Sequence, residues 1–330
     1  MPPALKSRVY DRGMTLDDPI PAPCSAAEPG ATSARLPYPV LIAELVQLLR
    51  DDSVRVPPRL VLPLANGASL FVMPAADAGT AITKLITFTP ANAGRGRATI
   101  QGDVVVFDVA TGKRLAVLDG PAVTARRTAA VSVLAAQRLA PCKEGPVLII
   151  GAGVQGTAHL EAFAEGMAVK DFRIASRTAA SAARLVAHAQ SLGLRARVVL
   201  DANAALAECP MAVTCTPASA VVLGSLPRRD GFIAAVGAFT PQMAELSPAL
   251  CQHFAAHGTI VVDTADAAHE AGDLLQAGLD VSAFATLADL VRQGTFQTRG
   301  PVLFKSCGWA GWDLAAARTA LRMRAGSANA

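Results

Sequence analysis

Hydrophobic and polar positions divide the chain into two parts with different rhythms. In the first part, from Leu36, apolar residues recur at helical spacing and then form short strand-like runs that follow one another with only turns between them. Strands that succeed one another without intervening helices predict an antiparallel or mixed sheet. The predicted strands of this sheet are 59–63, 68–73, 81–88, 98–108 and 114–119.

In the second part, strand-like runs alternate with helical patterns, which is the rhythm of a doubly wound parallel sheet. A helix over 122–140, ended by Pro141, connects the two parts, and a last helix over 314–325 is expected to return to the first part. The fold class is therefore α/β, a Rossmann-type sheet plus a smaller α+β domain. Predicted strands of the parallel sheet are 147–150, 172–175, 196–200, 211–215, 232–236 and 259–262, with helices at 180–192 and 244–255 among those between them.

The same patterns predict where the domains begin and end. Residues 1–34 are rich in Pro, Ala and Asp without any period, so we expect a disordered or loosely attached tail. Residues 35–122 together with 308–330 are expected to form the smaller domain, and residues 123–307 the Rossmann domain.

A glycine-rich turn follows the first strand of the Rossmann part. Gly151, Gly153 and Gly156 have the G-x-G-x-x-G spacing, with an apolar strand before them and a helical pattern over 157–166 after them. The first glycine permits a tight turn, the second lets a pyrophosphate approach the backbone, and the third lets the helix pack close to the strand. This context predicts dinucleotide binding, the alternative being a glycine-rich turn without a ligand.

The residues at the ends of later strands bear on which dinucleotide binds. The second strand of the Rossmann part ends in Ser176 and Arg177, where an Asp or Glu would indicate NAD. Ser176 can donate a hydrogen bond to a 2′-phosphate and Arg177 can pair with it, which favours NADP(H) and leaves NAD(H) possible. Arg177 as an ordinary solvated charge is the alternative. Thr216 and Gly237 follow two further strands and are candidate cofactor contacts, although turn chemistry explains them equally well.

Composition and charge exclude several classes of function. The 330 residues carry a formal net charge of +4, are 52% hydrophobic and only 5% aromatic, and have no run of basic residues. Nucleic-acid binding is therefore disfavoured. No apolar run is long enough to span a bilayer and no secretory signal is visible, so we expect a cytoplasmic protein. The six cysteines are far apart, which argues for reduced thiols and against a metal site.

Three cations lie in apolar surroundings where a charge needs a reason. Lys84 interrupts a predicted strand, Arg59 begins another after two prolines, and Arg127 lies on the helix that enters the Rossmann part. Any one of them alone could extend its charged end to water along an apolar surface. Together they could bind a carboxylate, the arginines by a bidentate fork and Lys84 as a point charge.

The chain resembles the ornithine cyclodeaminase/mu-crystallin family from about residue 36 to its C-terminus. The resemblance rests on four features: Lys84 in its strand, Arg127 followed by Thr-Ala-Ala, the glycine turn at 151–156, and the segment 302–310 with Asp313. It implies that Arg59, Lys84 and Arg127 hold the carboxylate of a substrate, and that the chain forms a homodimer through the sheet of its first domain. Implied or assigned cofactor contacts are Thr99, Thr128, Val154 and Gln155.

One departure from the family pattern concerns the reaction. Ornithine cyclodeaminases carry a catalytic Asp in a Gly-Ala-Asp segment, whereas this chain has Gly237-Ala238-Phe239. A phenyl ring cannot transfer a proton, so Phe239 disfavours cyclodeamination and suits packing against an apolar ring.

The chain is more similar to the family's reductases for Δ1-pyrroline-2-carboxylate and Δ1-piperideine-2-carboxylate. We therefore expect NADPH-dependent reduction of a small cyclic imino acid, with Lys84, or a water that it polarises, as the proton donor, the alternative being a substrate that enters already as the iminium. The alternatives are an alanine-type amino acid dehydrogenase and a non-catalytic NADPH-dependent protein that binds a small ligand.

Overall fold

The computed structural model describes residues 28–92, 95–217, 220–294 and 296–328. Its first domain is built on a five-stranded antiparallel sheet in which each strand pairs with the next along the chain, as the uninterrupted succession of strands predicts. The strands are β1 (Leu60–Pro63), β2 (Ser69–Ala76), β3 (Thr80–Phe88), β4 (Ile100–Asp108) and β5 (Arg114–Asp119).

Helices pack against this sheet. Helix α2 (Tyr38–Arg50) buries Leu41 and Leu45 completely, and these belong to the apolar stripe seen in the sequence. The last helix of the chain, α11 (Ala310–Ala328), contacts β2, β3 and α2. The prediction that the C-terminal helix returns to the first domain is therefore confirmed.

The chain is ordered earlier than the predicted tail of 1–34 allows. Residues 1–27 lie outside the described residues, but α1 (Pro29–Ala34) is a helical turn that packs against β5. The Thr32 side chain is fully buried, and its hydroxyl accepts a hydrogen bond from the Asp119 backbone N–H at 3.1 Å. The tail prediction is wrong for 29–34, because six residues were too few to show a helical period.

Helix α3 (Gly120–Leu139) is the long helix that connects the two domains. The Asp119 carboxylate caps it by accepting a hydrogen bond from the Ala122 N–H at 2.7 Å. The helix contacts β4 on one side and the strands of the second sheet on the other, so most of its residues are buried. It places Arg127 and Thr128 at the boundary between the domains.

The second domain is an eight-stranded sheet with only parallel pairs among the described strands. Its strands are β6 (Val147–Ile150), β7 (Asp171–Ala175), β8 (Arg195–Val198), β9 (Met211–Thr214), β10 (Phe232–Ala235), β11 (Thr259–Val262), β12 (Ala285–Thr286) and β13 (Val302–Lys305). The strand order is β12-β11-β13-β10-β9-β6-β7-β8. The helices between them are α4 (Val154–Met167), α5 (Ala179–Ser191), α6 (Ala202–Leu206), α7 (Pro248–His257), α8 (Ala267–Glu270), α9 (Gly272–Gln276) and α10 (Leu287–Gln293).

This topology reverses direction at β6, the strand before the glycine turn. From β6 the chain adds β7 and β8 on one side and β9 and β10 on the other, which is the switch point where ligands bind in such sheets. Apolar clusters bury both faces of the sheet. The Rossmann-type fold predicted from the alternating pattern is confirmed, and none of the described helices is long and apolar enough to cross a membrane.

One predicted helix boundary in this domain is wrong, and one buried strand was not predicted. The helix predicted at 244–255 begins at Pro248, because the Ser247 hydroxyl caps it by accepting from the Leu250 N–H at 3.2 Å. Residues 245 and 246 instead form a loop beneath the strand ends. Strand β13 was not predicted as a strand, although it is fully buried between β10 and β11. Its four residues end in Lys305, a charge that breaks the apolar run.

Candidate active site in the cleft between the domains

The glycine turn between β6 and α4 has the geometry that a dinucleotide phosphate needs. A Cβ at Gly156 would lie 1.9 Å from the Gly151 carbonyl oxygen, so the close approach of helix and strand requires glycine there. Gly151 has φ +115°, which also favours glycine. A Cβ at Gly153 would meet nothing within 4 Å, so this position faces open space. The structure thus requires glycine at 151 and 156, whereas the approach of a pyrophosphate to Gly153 stays a prediction.

The first turn of α4 adds groups that face this space. Val154 is 71% exposed, although it is an apolar residue on the first turn of a helix. The Gln155 Oε1 atom is buried and has no hydrogen-bond partner among the described residues. The backbone N–H groups of the helix N-terminus and the helix dipole favour an anion at the same place. The open space at Gly153 and the backbone N–H groups fit the pyrophosphate of a dinucleotide, and the contacts of Val154 and Gln155 with it stay predictions.

The second strand, β7, brings its C-terminal end beside the glycine turn. The Gly151 N–H donates to the Ala175 carbonyl at 2.9 Å, and Ser176 and the exposed Arg177 follow directly. Asp171 lies at the opposite end of the strand, where its carboxylate pairs with Arg173 at 2.5 Å. No carboxylate therefore stands at the position that would meet the ribose.

A buried acid that the sequence analysis missed connects the ends of β9 and β10. Glu245 is fully buried, and its Oε1 accepts hydrogen bonds from the Thr216 N–H at 2.6 Å and the Thr216 hydroxyl at 2.9 Å. Its Oε2 accepts from the Gly237 N–H at 2.7 Å and the Thr214 hydroxyl at 2.9 Å. Burial raises the pKa of Glu245, while Lys305 and the bonds from Thr216 oppose the rise. Glu245 thus fixes two strand ends at the crevice where we expect the cofactor.

Gly237 is required by this arrangement. A Cβ there would lie 2.3 Å from the Thr216 carbonyl oxygen and 2.5 Å from the Glu245 carboxyl carbon. Thr216 and Gly237 were both predicted as cofactor contacts. In the structure Thr216 bonds one oxygen of the Glu245 carboxylate and Gly237 bonds the other. Their contact with a cofactor stays a prediction.

A second buried pair fixes the loop that carries Phe239. The Lys305 ammonium lies 2.7 Å from Asp273 Oδ2 and donates to the Ala238 carbonyl at 2.6 Å. Burial lowers the pKa of Lys305, but the neighbouring acidic groups, Asp273 foremost, together outweigh burial and the pKa is raised. The other Asp273 oxygen accepts the backbone N–H groups of Glu245 and Leu246 at 2.6 and 2.8 Å. One ion pair therefore positions both Glu245 and the segment that ends in Phe239.

The structure brings two of the three predicted cations to one carboxylate. The Lys84 ammonium lies 3.2 Å from Asp313 Oδ1 and 3.3 Å from Oδ2, and the Arg127 Nε atom lies 3.3 Å from Oδ1. Lys84 is 1% exposed and Asp313 is fully buried. Burial lowers the pKa of Lys84 to about 8, and Arg127 lowers it further while Asp313 raises it. Two cations and one carboxylate leave a positive charge beside the cleft.

Arg59 lies within electrostatic range of this cluster but has another partner. Its positive charge adds to the lowering of the Lys84 pKa. Its own guanidinium forms a bidentate ion pair with Glu270 at the end of α8, with Nε 2.8 Å from Oε1 and Nη2 on Oε2. Burial raises the pKa of Glu270 and Arg59 opposes this. No local pattern in the sequence points to Glu270.

A cavity of about 360 Å³ lies beside the Arg59–Glu270 pair. It is lined by Arg59, Glu270, Gly308, Trp309 and Met73 among others. The backbone of Gly308 separates it from the Arg127 guanidinium, since a Cβ on Gly308 would lie 3.2 Å from both terminal nitrogens. Arg59 therefore lines a cavity of a size that suits a small ligand, and Arg127 lies behind its Gly308 wall.

Asp263, at the end of β11, holds the Gly308 segment in place. Its Oδ2 accepts hydrogen bonds from the Ser306 hydroxyl and from the N–H groups of Cys307 and Gly308, at 2.8 to 3.0 Å. Asp263 is 1% exposed. The loop between Arg127 and the cavity is therefore fixed from below.

The remaining predicted residues lie at the edges of the cleft. Phe239 is half-buried, and its ring meets the Phe88 ring edge to face with centroids 6.5 Å apart. Because Phe88 ends β3, this contact makes an apolar wall between the two domains. Thr99 precedes β4 and Thr128 is buried on α3 beside Arg127. The assigned contacts of both threonines with a cofactor stay predictions.

Comparison with known proteins gives this site a family. The model of the ornithine cyclodeaminase/mu-crystallin family matches residues 39–326. A Δ1-pyrroline-2-carboxylate/Δ1-piperideine-2-carboxylate reductase of Azospirillum brasilense is 39% identical over 310 residues, which cover 93% of this chain and 97% of that protein.

Solved structures agree in fold. Thermococcus litoralis Δ1-pyrroline-2-carboxylate reductase, in complex with NADH and L-proline, superposes with a TM-score of 0.79 at 22% identity and covers 92% of this chain and 95% of its own. An archaeal alanine dehydrogenase dimer with bound NAD gives a TM-score of 0.80 at 24% identity, covering 91% and 95%. The chain belongs to the ornithine cyclodeaminase/mu-crystallin family.

Proposed function

We propose that this protein uses NADPH to reduce a cyclic ketimine carboxylate, Δ1-pyrroline-2-carboxylate or Δ1-piperideine-2-carboxylate, to the corresponding L-amino acid. The observation that carries the proposal is the cluster of Arg59, Lys84 and Arg127, of which Arg59 lines a cavity, together with an apolar side chain at position 239. The Azospirillum relative, which its name describes as a reductase of these two imines, supports it.

The cations would bind and orient the substrate carboxylate. Lys84, Arg127 and Asp313 together carry one surplus positive charge, which matches a single carboxylate. Arg127 and Lys84 are held by a buried partner, so little conformational freedom remains to be lost when a ligand binds. The nicotinamide supplies a hydride when the cofactor is bound. Holding the imine carbon at hydride distance is then the main contribution of these residues.

Position 239 favours reduction over cyclodeamination. The Phe239 and Phe88 rings form an apolar wall, against which a saturated or partly unsaturated ring can pack. A diamine such as ornithine needs an acidic partner for its second ammonium group, and a phenyl ring offers none. An apolar wall beside a carboxylate-binding cluster therefore suits a cyclic imino acid.

NADPH is the preferred cofactor in this proposal. Ser176 follows β7 beside the glycine turn, and Asp171 is held at the far end of the strand by Arg173. A serine and Arg177 accept a 2′-phosphate that a carboxylate would repel. NAD(H) remains the alternative, because the two superposed structures hold NADH and NAD.

The test follows NADPH absorbance with four substrates in parallel. We expect oxidation with one or both cyclic imines, and none with L-ornithine or with pyruvate and ammonia. Oxidation with pyruvate and ammonia alone would support an alanine-type dehydrogenase. NADPH binding without oxidation by any substrate would support a ligand-binding protein. Repeating the imine assay with NADH measures the cofactor preference.

We also propose a homodimer that forms through the sheet of the first domain. Apolar side chains on and beside β1 are exposed, and the archaeal alanine dehydrogenase is described as a dimer. These side chains are Leu60, Val61, Leu62 and Leu64. Light scattering of the native protein and of a Leu60→Lys/Leu62→Lys variant tests this, since the two charges are expected to produce a monomer.

A further inference from the structure

The ion pair between Arg59 and Glu270 crosses the cavity that the proposed function assigns to the substrate. Arg59 directly precedes β1 in the first domain, whereas Glu270 ends α8 in the second. Both side chains line the cavity and are about one-fifth exposed, 18% for Arg59 and 21% for Glu270. An arginine that is expected to hold a substrate carboxylate therefore already holds a carboxylate of the protein.

A ligand carboxylate cannot simply be added to this pair. Two N–H groups of Arg59, on Nε and Nη2, are bonded to Glu270. A second carboxylate on the same guanidinium would lie close to the first, and two like charges in a partly desolvated cavity repel each other. Asp263 adds a further negative charge near Arg59. The remaining N–H groups of Arg59 could still reach a ligand, but this repulsion makes binding at Arg59 more favourable when Glu270 leaves.

Asp313, the carboxylate that pairs with Lys84 and Arg127, cannot be replaced by a ligand in this way. Asp313 is fully buried behind the cavity, and it holds Lys84 and Arg127 together. Removing it would leave two buried cations without a partner. Glu270, in contrast, is partly exposed and lies at the end of a four-residue helix. Of these two acids, Glu270 is the one that a ligand can displace.

We propose that Glu270 is an internal competitor for the substrate carboxylate at Arg59, and that it sets the affinity and the release of carboxylate ligands. This inference rests on the proposed function, because it takes the ligand to be a small ring carboxylate. When the ligand binds, its carboxylate replaces that of Glu270 on Arg59. When the product leaves, Glu270 returns, which makes release more favourable. Glu270 thereby weakens the binding of carboxylate ligands and favours release of the product.

The test compares binding of two probes to Glu270→Gln and to the native protein, each saturated with NADP⁺. Glutamine keeps the size of the side chain but removes the charge that competes. We expect the dissociation constant of L-proline, measured by calorimetry, to fall by about tenfold, since a charge-assisted pair that is partly screened is lost. L-prolinamide, which lacks the carboxylate, is expected to bind equally to both proteins. If Glu270 had only a structural role, the dissociation constant of L-proline would rise in Glu270→Gln, because damage to the site weakens binding.

Two further variants complete the test. Asp266→Asn removes a negative charge from the wall of the same cavity without removing the partner of Arg59, so its L-proline affinity is expected to change by less than about twofold. Glu270→Asp keeps the charge on a shorter side chain and is expected to fall between the native protein and Glu270→Gln. Thermal unfolding of each variant checks that the fold is intact.

The outcomes separate this inference from the proposed function. Equal or weaker L-proline binding by Glu270→Gln, equal tightening of both probes, or no binding by either protein would overturn the exchange. Tighter L-proline binding by Glu270→Gln together with no imine-dependent NADPH oxidation would leave the exchange standing and refute the reductase. Imine reduction without tighter L-proline binding by Glu270→Gln would support the reductase and overturn the exchange.

Discussion

The charge balance of Lys84, Arg127 and Asp313 predicts that two substitutions change the free energy of unfolding by different amounts. Asp313→Asn leaves two buried cations with no carboxylate between them. Breaking a buried pair in this way costs about 3–5 kcal/mol of unfolding free energy. Lys84→Met instead leaves Arg127 and Asp313 as a balanced pair and fills the space with an apolar side chain. We expect Lys84→Met to be within about 1 kcal/mol of the native protein.

The pKa of Lys84 limits the penalty for Asp313→Asn and gives it a pH dependence. Asp313 raises that pKa, so its loss must move the value below the present one of about 8. The unfolded chain then binds a proton that the folded chain does not, over the interval up to the ordinary lysine pKa of about 10.4. Stability of the variant should therefore rise with pH, because the unfolded state binds more protons in this interval. Raising the pH from about 7 to about 9 is expected to recover part of the loss.

The chain contains its own reporter for this measurement. Its two tryptophans, Trp309 and Trp312, lie next to the cluster with ring centroids 4.9 Å apart. Urea unfolding followed by tryptophan fluorescence therefore reports the domain that holds Asp313. NADPH binding and imine reduction are measured on the same samples. We expect Lys84→Met to retain NADPH binding and to lose turnover.

Two results would refute the reasoning. If Asp313→Asn is as stable as the native protein, the cations are not held by this carboxylate. If Lys84→Met is the less stable of the two variants, the surplus charge is not where the structure places it. The double variant is a further check, since adding Lys84→Met to Asp313→Asn should restore much of the stability without restoring activity. Normal kcat in Lys84→Met would remove its proposed role in the reaction.

Two further predictions concern the cofactor site, and a third concerns a buried histidine on α4. Gly153→Ala should leave stability unchanged and weaken NADPH binding by at least about tenfold, because its Cβ meets no protein atom but enters the space for the phosphates, whereas Gly156→Ala should also destabilise the fold. Ser176→Asp should shift the ratio of kcat/KM from NADPH towards NADH, and an unchanged ratio would contradict the assigned position. His159 is buried with a pKa lowered to about 4, and its Nε2 lies 3.0 Å from the Ser132 hydroxyl. Native stability should therefore fall as the pH decreases from about 6.5 towards this value, and a smaller fall is expected in His159→Gln.

Sequence patterns predicted the strands of both sheets well where several residues shared one period. Strand β6 and strand β11 have the predicted bounds, since each is a run of apolar residues between clear breaks. Strand β13 and the helix at Pro248 were not predicted correctly. In both cases one polar residue decides the local structure: Lys305 is buried only because Asp273 pairs with it, and Ser247 caps the helix. Asp273 lies outside any local window around Lys305, whereas the Ser247 cap is a local signal that was missed because the helical spacing of 244–255 was followed instead.

The cations of the candidate site could be predicted from the sequence, but the acids that pair with them could not. A lysine in an apolar strand signals that a charge needs a partner, and this signal found Lys84. It does not say which acid supplies the partner, because Lys84 and Asp313 are 229 residues apart in the chain and Arg59 and Glu270 are 211 apart. Glu245 was missed for a different reason. It lies in a segment with helical spacing, and only the fold shows that its carboxylate joins two strand ends.

Three acids of the site, Glu245, Asp313 and Glu270, differ in burial, and this difference assigns their roles. Glu245 and Asp313 are fully buried and accept several hydrogen bonds or two cations, so their removal changes the protein before any ligand binds. Glu270 is partly exposed, and its partner Arg59 is the cation nearest to solvent in the cluster. A site built only from permanent pairs would bind a carboxylate product as tightly as the substrate. One exchangeable pair among fixed ones lets the same cations hold the carboxylate during the reaction and release it afterwards.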